Sequence, residues 1–282
     1  MNLVASFRSE FKKSERYLFW SLLLKLVLFA VSVLALIFET GFPAKGLLWF
    51  AGIVQLLLFL SRWRSMAHQD LAEELRRTAM LRDGLGICPP RMYEAKMASR
   101  VGDATKYEAQ TAGYYTSKLP KGPFRLTEIT AESAFYSQDI ARVSGWILVA
   151  VAAGGAGIVV YSFLALVMAS PPSTTLDLAS KIAVLAVAFW ATDDWIVMAI
   201  RLFACASGCD RVLDRCSEFL ETEGAVTERD ACVVLMEYHA AVSGAGPLPS
   251  FVYKIRRKRL DEAWALFAGS WTAGTPVVRG DP

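Results

Sequence analysis

The sequence predicts an all-α membrane protein with four transmembrane helices paired as two hairpins, a helical cytoplasmic insert between them and a helical cytoplasmic region after them. Three observations predict it. Apolar residues make up 54% of the 282 positions, and the mean hydropathy is +0.36, both above the range of ordinary soluble domains. The excess is gathered in four runs, 18–38, 46–61, 143–169 and 181–200, each near the ~20 residues that cross a bilayer. Nearly all charges lie between or outside these runs.

Residues 1–17 carry Arg8, Lys12, Lys13 and Arg16. The first run then covers about 30 Å as a helix, the thickness of the hydrocarbon. It ends in Glu39-Thr40-Gly41 rather than a small-residue cleavage site, so it reads as a retained span. Lys25 interrupts it about two turns in and can reach the near interface by snorkelling. Gly41 and Pro43 mark a turn, and a loop this short forces an antiparallel hairpin. Arg62-Trp63-Arg64 closes the second run as expected at an interface.

The insert begins as a continuation of the second span, because Ala72 to Met80 is rich in helix formers. Asp83 to Gly86 ends that helix, and Pro89-Pro90 opens a new segment, helical over about 91–112. Residues 118–124 read as a loop, and a helix from Thr130 feeds the third span. There Ala150, Ala153, Gly154 and Gly157 place small residues four apart, which lets helix backbones approach closely in lipid. The reading is a span packed inside the bundle or at a subunit contact. Pro171-Pro172 turns the chain into the fourth span. Thr227 to Asp230 looks like a capping box opening a helix to about 242. A last helix carries Phe251, Ile255, Trp264 and Phe267, and the tail after Gly274 reads as disordered.

The chain therefore divides into a basic N-terminus (1–17), a first transmembrane hairpin (18–62), an insert (63–142), a second hairpin (143–200) and a C-terminal region (201–282). The short turns at 39–45 and 170–180 hold one lysine and no cation respectively, against four cations in the N-terminus, thirteen from Arg62 to Arg142 and ten from Arg201 onward. By the positive-inside rule, both termini and the insert are cytoplasmic.

Four sets of residues are candidates for function. Asp193-Asp194 stand inside the fourth run. They either line or gate a pore, or mark a shifted span with both carboxylates at the interface beside Arg142 or Arg201. Lys254, Arg256, Arg257, Lys258 and Arg259 form the densest basic run, suited to anionic lipid headgroups or to an anionic ligand. Tyr114-Tyr115 with Arg125 offers aromatic surface and a cation, either as a nucleotide patch or as ordinary packing. Ala150, Ala153, Gly154 and Gly157 are the helix-packing set.

Enzyme signals are missing: there is no phosphate-binding glycine loop, no serine-hydrolase elbow and no zincin helix. No cofactor or metal is expected, with only His68 and His239 available. Net charge of +3 excludes a nucleic-acid polymer as the expected partner. The five cysteines read as reduced thiols, with Cys205, Cys209 and Cys216 able to share one helix face and to sit as small buried apolar groups.

The order of parts resembles the SMODS-associated four-transmembrane pore-forming effector family of bacterial anti-phage (CBASS-type) systems. Gly113-Tyr114-Tyr115, before a proline loop and the helix into the third span, is similar to the family's Trp-Tyr segment. Pro247 to Tyr253 followed by Arg256-Arg257 and Glu262 is similar to its C-terminal stretch. Arg82 to Cys88 departs from it, standing where the family has an acidic helix and a Trp-Asn pair. The resemblance implies a homo-oligomeric inner-membrane effector that permeabilises the membrane when a cyclic nucleotide ligand or an upstream sensor protein acts on its cytoplasmic part. A small channel or transporter subunit, or a membrane scaffold, are the other readings of the same spans.

Overall fold

The computed structural model describes residues 1–37, 42–101, 104–110, 114–169, 175–221 and 226–274. The described chain is all-α, with no strand among the described residues. Four long helices dominate: α1 (Leu3–Ile37), α2 (Phe42–Gly84), α4 (Pro123–Ala169) and α5 (Thr175–Glu221). Short α3 (Arg91–Arg100) and a 3-10 turn (Thr105–Gln110) lie between α2 and α4, and α6 (Glu228–Ser243) and α7 (Ser250–Gly274) follow. α1 packs on α2 and α4 packs on α5, so the two sequence hairpins are two structural hairpins.

Length is the first physical clue. At 47 residues, α4 and α5 each run about 70 Å, more than twice a hydrocarbon core of about 30 Å. Each long helix therefore has two halves in different surroundings. Near one end the bundle is packed like a soluble domain. Leu126, Ile129, Leu202, Val234 and Leu235 are buried there together, and Leu3, Phe7, Leu71, Leu75 and Met97 form a second cluster under α3. Towards the other end the outward faces turn apolar: Phe19 and Leu26 on α1, Trp49 and Phe59 on α2, Tyr161 on α4 and Ile200 on α5 are all exposed, Trp49 by 79%. Among the described residues, one helical segment, Pro123–Gly157, combines the length and the apolar composition of a membrane span.

The N-terminal seventeen residues are part of the first long helix from Leu3 onward. α1 is continuous from Leu3, and Ser6, Ser9, Glu10 and Ser14 are buried with Phe7. Small side chains on that face let α1 lie close to α2: the Ser14 hydroxyl donates to the Ser65 carbonyl (2.7 Å) and the Ser65 hydroxyl to the Ser14 carbonyl (2.9 Å). α3 ends at Arg100, short of 112, and α4 starts at Pro123, a turn or two before Thr130. Proline at the first position of α4 suits a helix start, since its missing N–H would lack an intrahelical partner anyway. The capping box at α6 is present: the Asp230 N–H donates to the Thr227 hydroxyl (3.2 Å) and the Thr227 N–H to the Asp230 carboxylate (3.3 Å).

Close helix approaches fall at glycines other than the expected ones. A Cβ on Gly84 would meet the Leu126 backbone at 2.8 Å, one on Gly145 the Phe203 ring at 2.9 Å, and one on Gly208 the Ala241 methyl at 2.7 Å. Gly154 and Gly157 have nothing within 4 Å of such a Cβ, and Ala150 and Ala153 are exposed. Among the described residues, the Ala150, Ala153, Gly154 and Gly157 positions are exposed, while neighbouring Ala152 is buried. Cys205, Cys209 and Cys216 are buried as small groups on α5, whereas Cys88 is exposed in the loop after α2.

Candidate functional site

The candidate site lies at the end of the bundle away from the exposed apolar belt, where α1 begins, α2 ends and α4 begins. A cleft of about 530 Å³ opens there between Leu3, Val4, Ala79, Tyr114 and Tyr115, with Arg82, Lys121, Arg125 and Asp83 supplying its charges. That volume falls within the range of small-molecule sites. Three cations against one carboxylate give the lining a positive balance.

Local chemistry explains why these residues converge. α2 stops at Gly84, whose carbonyl accepts from the Gly122 N–H at 2.7 Å. Only a residue without a side chain fits there against Leu126. Gly86 follows with φ +76°, in the left-handed region that glycine occupies without steric cost. The junction fixes the loop before α4 against the end of α2 and brings Lys121 to the same opening as Arg82.

Tyr114 and Tyr115 stand edge to face at 4.8 Å between ring centroids. Tyr114 also packs edge-on to Phe7 (5.3 Å), and the Arg8 guanidinium lies over its ring at 5.2 Å. Tyr115 lines the cleft with its hydroxyl buried and unpartnered among the described residues. Burial pushes that phenol well above its ordinary pKa, against the opposing pull of the Arg76 charge, so it stays a neutral donor.

Tyr114, Tyr115 and Arg125 all line this cleft, and Arg125 is engaged with its wall. Its Nε donates to the Asp83 carbonyl (3.0 Å), its Nη1 to the Leu119 carbonyl (2.6 Å) and its Nη2 to the Asp83 carboxylate (2.9 Å). Arg125 is the clamp that holds the cleft wall. Arg82 and Lys121 are the cations presented at the opening, and sequence reasoning missed both. Their only signal was position: Arg82 sits in the last turn of α2, next to Asp83, and Lys121 in the proline loop four residues before Arg125.

Behind the cleft, a buried polar network ties the hairpins together. Arg76 donates to Glu73 at 2.6 Å and lies over the rings of Tyr238 (5.0 Å) and Phe11 (5.5 Å). The Tyr238 hydroxyl meets the Ser137 hydroxyl at 3.0 Å and donates to the Ser133 carbonyl (3.3 Å). Burial raises the Glu73 carboxyl, and the nearby Arg76 offsets this only in part. Burial also depresses His239 to about 4, helped by Arg77 and Arg76, so the ring is neutral near pH 7. On the α7 side, Glu132 accepts from the Thr116 N–H (3.0 Å), and burial still raises it to about 7.

The other candidates separate. Arg256 is engaged in a two-bond pair with Asp139 (2.5 and 2.7 Å), so it anchors α7 to α4 rather than facing outward. The cost of leaving Asp139 without that partner explains the difference from the expected run of five outward cations. Lys254, Arg257, Lys258 and Arg259 are exposed, beside Ile255 at 78%. Asp193 and Asp194 lie within α5, but their side chains fall outside the described residues. Lys25 is buried at 5% exposure instead of reaching the surface. Among the described residues no group of three His, Cys, Asp or Glu stands close enough to hold a metal.

The fold and the cleft define an all-helical protein in which long continuous helices join a cation-lined recess at one end to an apolar surface at the other. Comparison with protein families, with curated proteins and with solved structures finds no match to the chain.

Proposed function

We propose that this chain is a four-span effector of the bacterial inner membrane, of the SMODS-associated type, that oligomerises and permeabilises the membrane when an anionic nucleotide signal occupies the cleft. The observation that carries the reading is continuity. α1 and α2 run unbroken from the cleft wall (Leu3, Val4, Ala79, Arg82) into the stretch where Phe19, Leu26, Trp49 and Phe59 face outward. A ligand that shifts one helix end moves its far end as a rigid rod. Exposed apolar surface of this extent marks a membrane or partner surface, and the cation distribution favours a cytoplasmic side for both termini and the insert. The chemistry does not call for catalysis. Aromatic edges with Arg82 and Lys121 suit a phosphate-bearing ligand of nucleotide size, and the outward Ala150–Gly157 face suits a second copy of the chain.

The test combines binding with leakage. Purified full-length protein, reconstituted in phosphatidylethanolamine–phosphatidylglycerol vesicles, is titrated with a panel of cyclic di- and trinucleotides while dye release is followed. At least one ligand binds and triggers release, and Arg82→Glu with Lys121→Glu weakens both at least tenfold. Release with no dependence on any nucleotide or on these charges would favour a constitutive channel or transporter subunit, a reading that Lys25 inside the bundle also suits. Absence of binding and release would leave a scaffold. Orientation is read separately in intact cells: exposed Cys88 stays unlabelled by an impermeant maleimide until the cells are opened.

A further inference from the structure

α7 begins at the edge of the apolar belt. The Ser250 N–H and hydroxyl both donate to the Glu15 carboxylate of α1 (2.8 and 2.6 Å), and Val252 packs with Ile140 of α4. Phe19 stands four residues beyond Glu15 and Trp146 six beyond Ile140, about 6 and 9 Å along their helices, and both are exposed. Cations and a further indole mark the same border. Ser14 and Ser65 bond across α1 and α2, so Arg16, Trp63 and Arg64, all exposed, flank that level. Arginine and tryptophan together at the rim of an apolar surface are the composition that a headgroup region selects.

From this border α7 leads away from the belt. Arg256 holds Asp139, Asp261 accepts from the Tyr136 hydroxyl, and Phe267 stacks on Phe135. The inner face of α7 carries Val252, Leu260 and Trp264, all buried. The outer face carries Phe251, Ile255 and Lys258 at helical spacing, flanked by Lys254 and Arg259, and all five are exposed. Arg257 reaches Asp261 (3.5 Å), whereas Lys254, Lys258 and Arg259 enter no ion pair among the described residues. Chemistry is graded along this outer face. Apolar Phe251 and Ile255 are nearest the belt, the cations follow, and the carboxylates of Asp261 and Glu262 come only after them. That order matches acyl chains, headgroup phosphates and water. Exposed Leu266 lies about 16 Å further along the axis than Ile255 and stands outside it.

We propose that the first three turns of α7 are a docking surface for anionic phospholipid. Phe251 and Ile255 enter the acyl boundary, and Lys254, Lys258 and Arg259 neutralise the headgroup phosphates. A basic run alone would suit any anion; the apolar pair at its belt end selects lipid. The proposal rests on the reading of the belt as lipid-embedded, and it adds the surface that senses membrane charge.

Photo-crosslinking benzoylphenylalanine, placed singly at Phe251, Ile255, Trp49 and Leu266 of the full-length chain, tests it. The vesicles contain phosphatidylcholine and phosphatidylglycerol, with one or the other radiolabelled. Illumination joins labelled lipid to the chain at Phe251 and Ile255, as at Trp49 in the belt, and not at Leu266. At Ile255, phosphatidylglycerol is captured over phosphatidylcholine by roughly fivefold or more per mole present, the factor that one cation contributes near an anionic surface. Lys254→Gln, Lys258→Gln and Arg259→Gln together abolish that preference and leave capture at Trp49 as it was. Capture at Trp49 alone would sink the docking surface while leaving the belt in lipid. No lipid capture at any of the four positions would instead overturn the membrane reading itself. Equal capture of both lipids, unaltered by the triple change, would remove the headgroup contact, and equal capture at Leu266 would remove the graded placement. A chain-to-chain adduct at Ile255 in place of lipid would assign the face to a second copy and refute the proposal.

Discussion

The two halves of the helical bundle solve opposite solvent problems with the same four helices. Around Arg76 and Tyr238, the outside is polar and several buried polar groups find one another: Arg76 with Glu73, Tyr238 with Ser137, Arg125 with Asp83; the Tyr115 hydroxyl and the Gln69 side-chain carbonyl have no partner among the described residues. In the half bearing Trp49 and Tyr161, the outside is apolar, and the Gln55 side-chain carbonyl and the Trp195 indole N–H are enclosed without a partner among the described residues. In water a protein must satisfy what it buries. In a membrane it must also satisfy the exterior, and interior polarity is retained where it serves transport or packing. The comparison teaches that burial alone does not define the core of this chain, because the chemistry of the exposed face reverses along one helix.

The contrast breaks hardest at Arg76. Removing it leaves Glu73 buried without its counter-charge, an arrangement whose loss typically costs about 3–5 kcal/mol. Arg76→Met therefore lowers the thermal midpoint in detergent sharply. The double change Arg76→Met with Glu73→Leu recovers most of the loss, since a matched apolar pair leaves no orphan charge.

Glycine substitutions sharpen the comparison at the next level. Gly208→Leu drives a side chain into Ala241 and costs roughly 1–3 kcal/mol, the usual penalty of overpacking. Gly154→Leu meets nothing within 4 Å inside the chain. It leaves monomer stability unchanged and reduces oligomer size, as read by light scattering in detergent. Unchanged oligomer size would remove the outward α4 face as the subunit contact.

Arg256→Gln tests the attachment of α7. The pair with Asp139 is partly exposed on both sides, so screening limits its worth to about 1 kcal/mol. Faster protease cleavage in α7 with little change in overall unfolding is the expected result. Lys258→Gln, whose side chain is exposed, leaves the cleavage rate as it is.

The smallest effect is in pH. Folding raises Glu132 to about 7 from an ordinary value of 4.5, so the native state holds a proton that the unfolded chain gives up. Its contribution to stability falls as pH rises from about 4.5 to 7. His239 does the reverse: depressed to about 4 from 6.5, it makes stability fall as pH drops below 6.5. Glu73, also raised, adds to the Glu132 slope. The opposing slopes flatten the wild-type profile. Relative to wild type between pH 4.5 and 7, the slope of the thermal midpoint against pH shifts upward in Glu132→Gln and downward in His239→Gln.

Much of this was legible in residue order. The two hairpins, the Thr227–Asp230 box and the meeting of Tyr114, Tyr115 and Arg125 follow from apolar run length, capping chemistry and aromatic–cation composition. The burial of Ser6, Ser9 and Glu10 was not, because small polar residues on a buried face carry no hydrophobic period. Arg256 looked like its basic neighbours, since its partner Asp139 is 117 positions away. The outward direction of Gly154 was equally hidden, because a small-residue spacing reports that a face can pack closely and not which partner it meets. Arg82 and Lys121 needed the Gly84–Gly122 junction before they could be seen as neighbours.

Tyr238 sets the order in which the molecule can be completed during synthesis. Its ring lies under Arg76 of the first hairpin and its hydroxyl meets Ser137 of the second. Both hairpins are translated before residue 238. Until then they have only their direct contacts, such as Arg125 of α4 on Asp83 of α2, and lack the link that α6 supplies. Completion of the joint is thus a late event, timed by translation of α6, and a nascent chain stalled before it would hold both hairpins without that bridge.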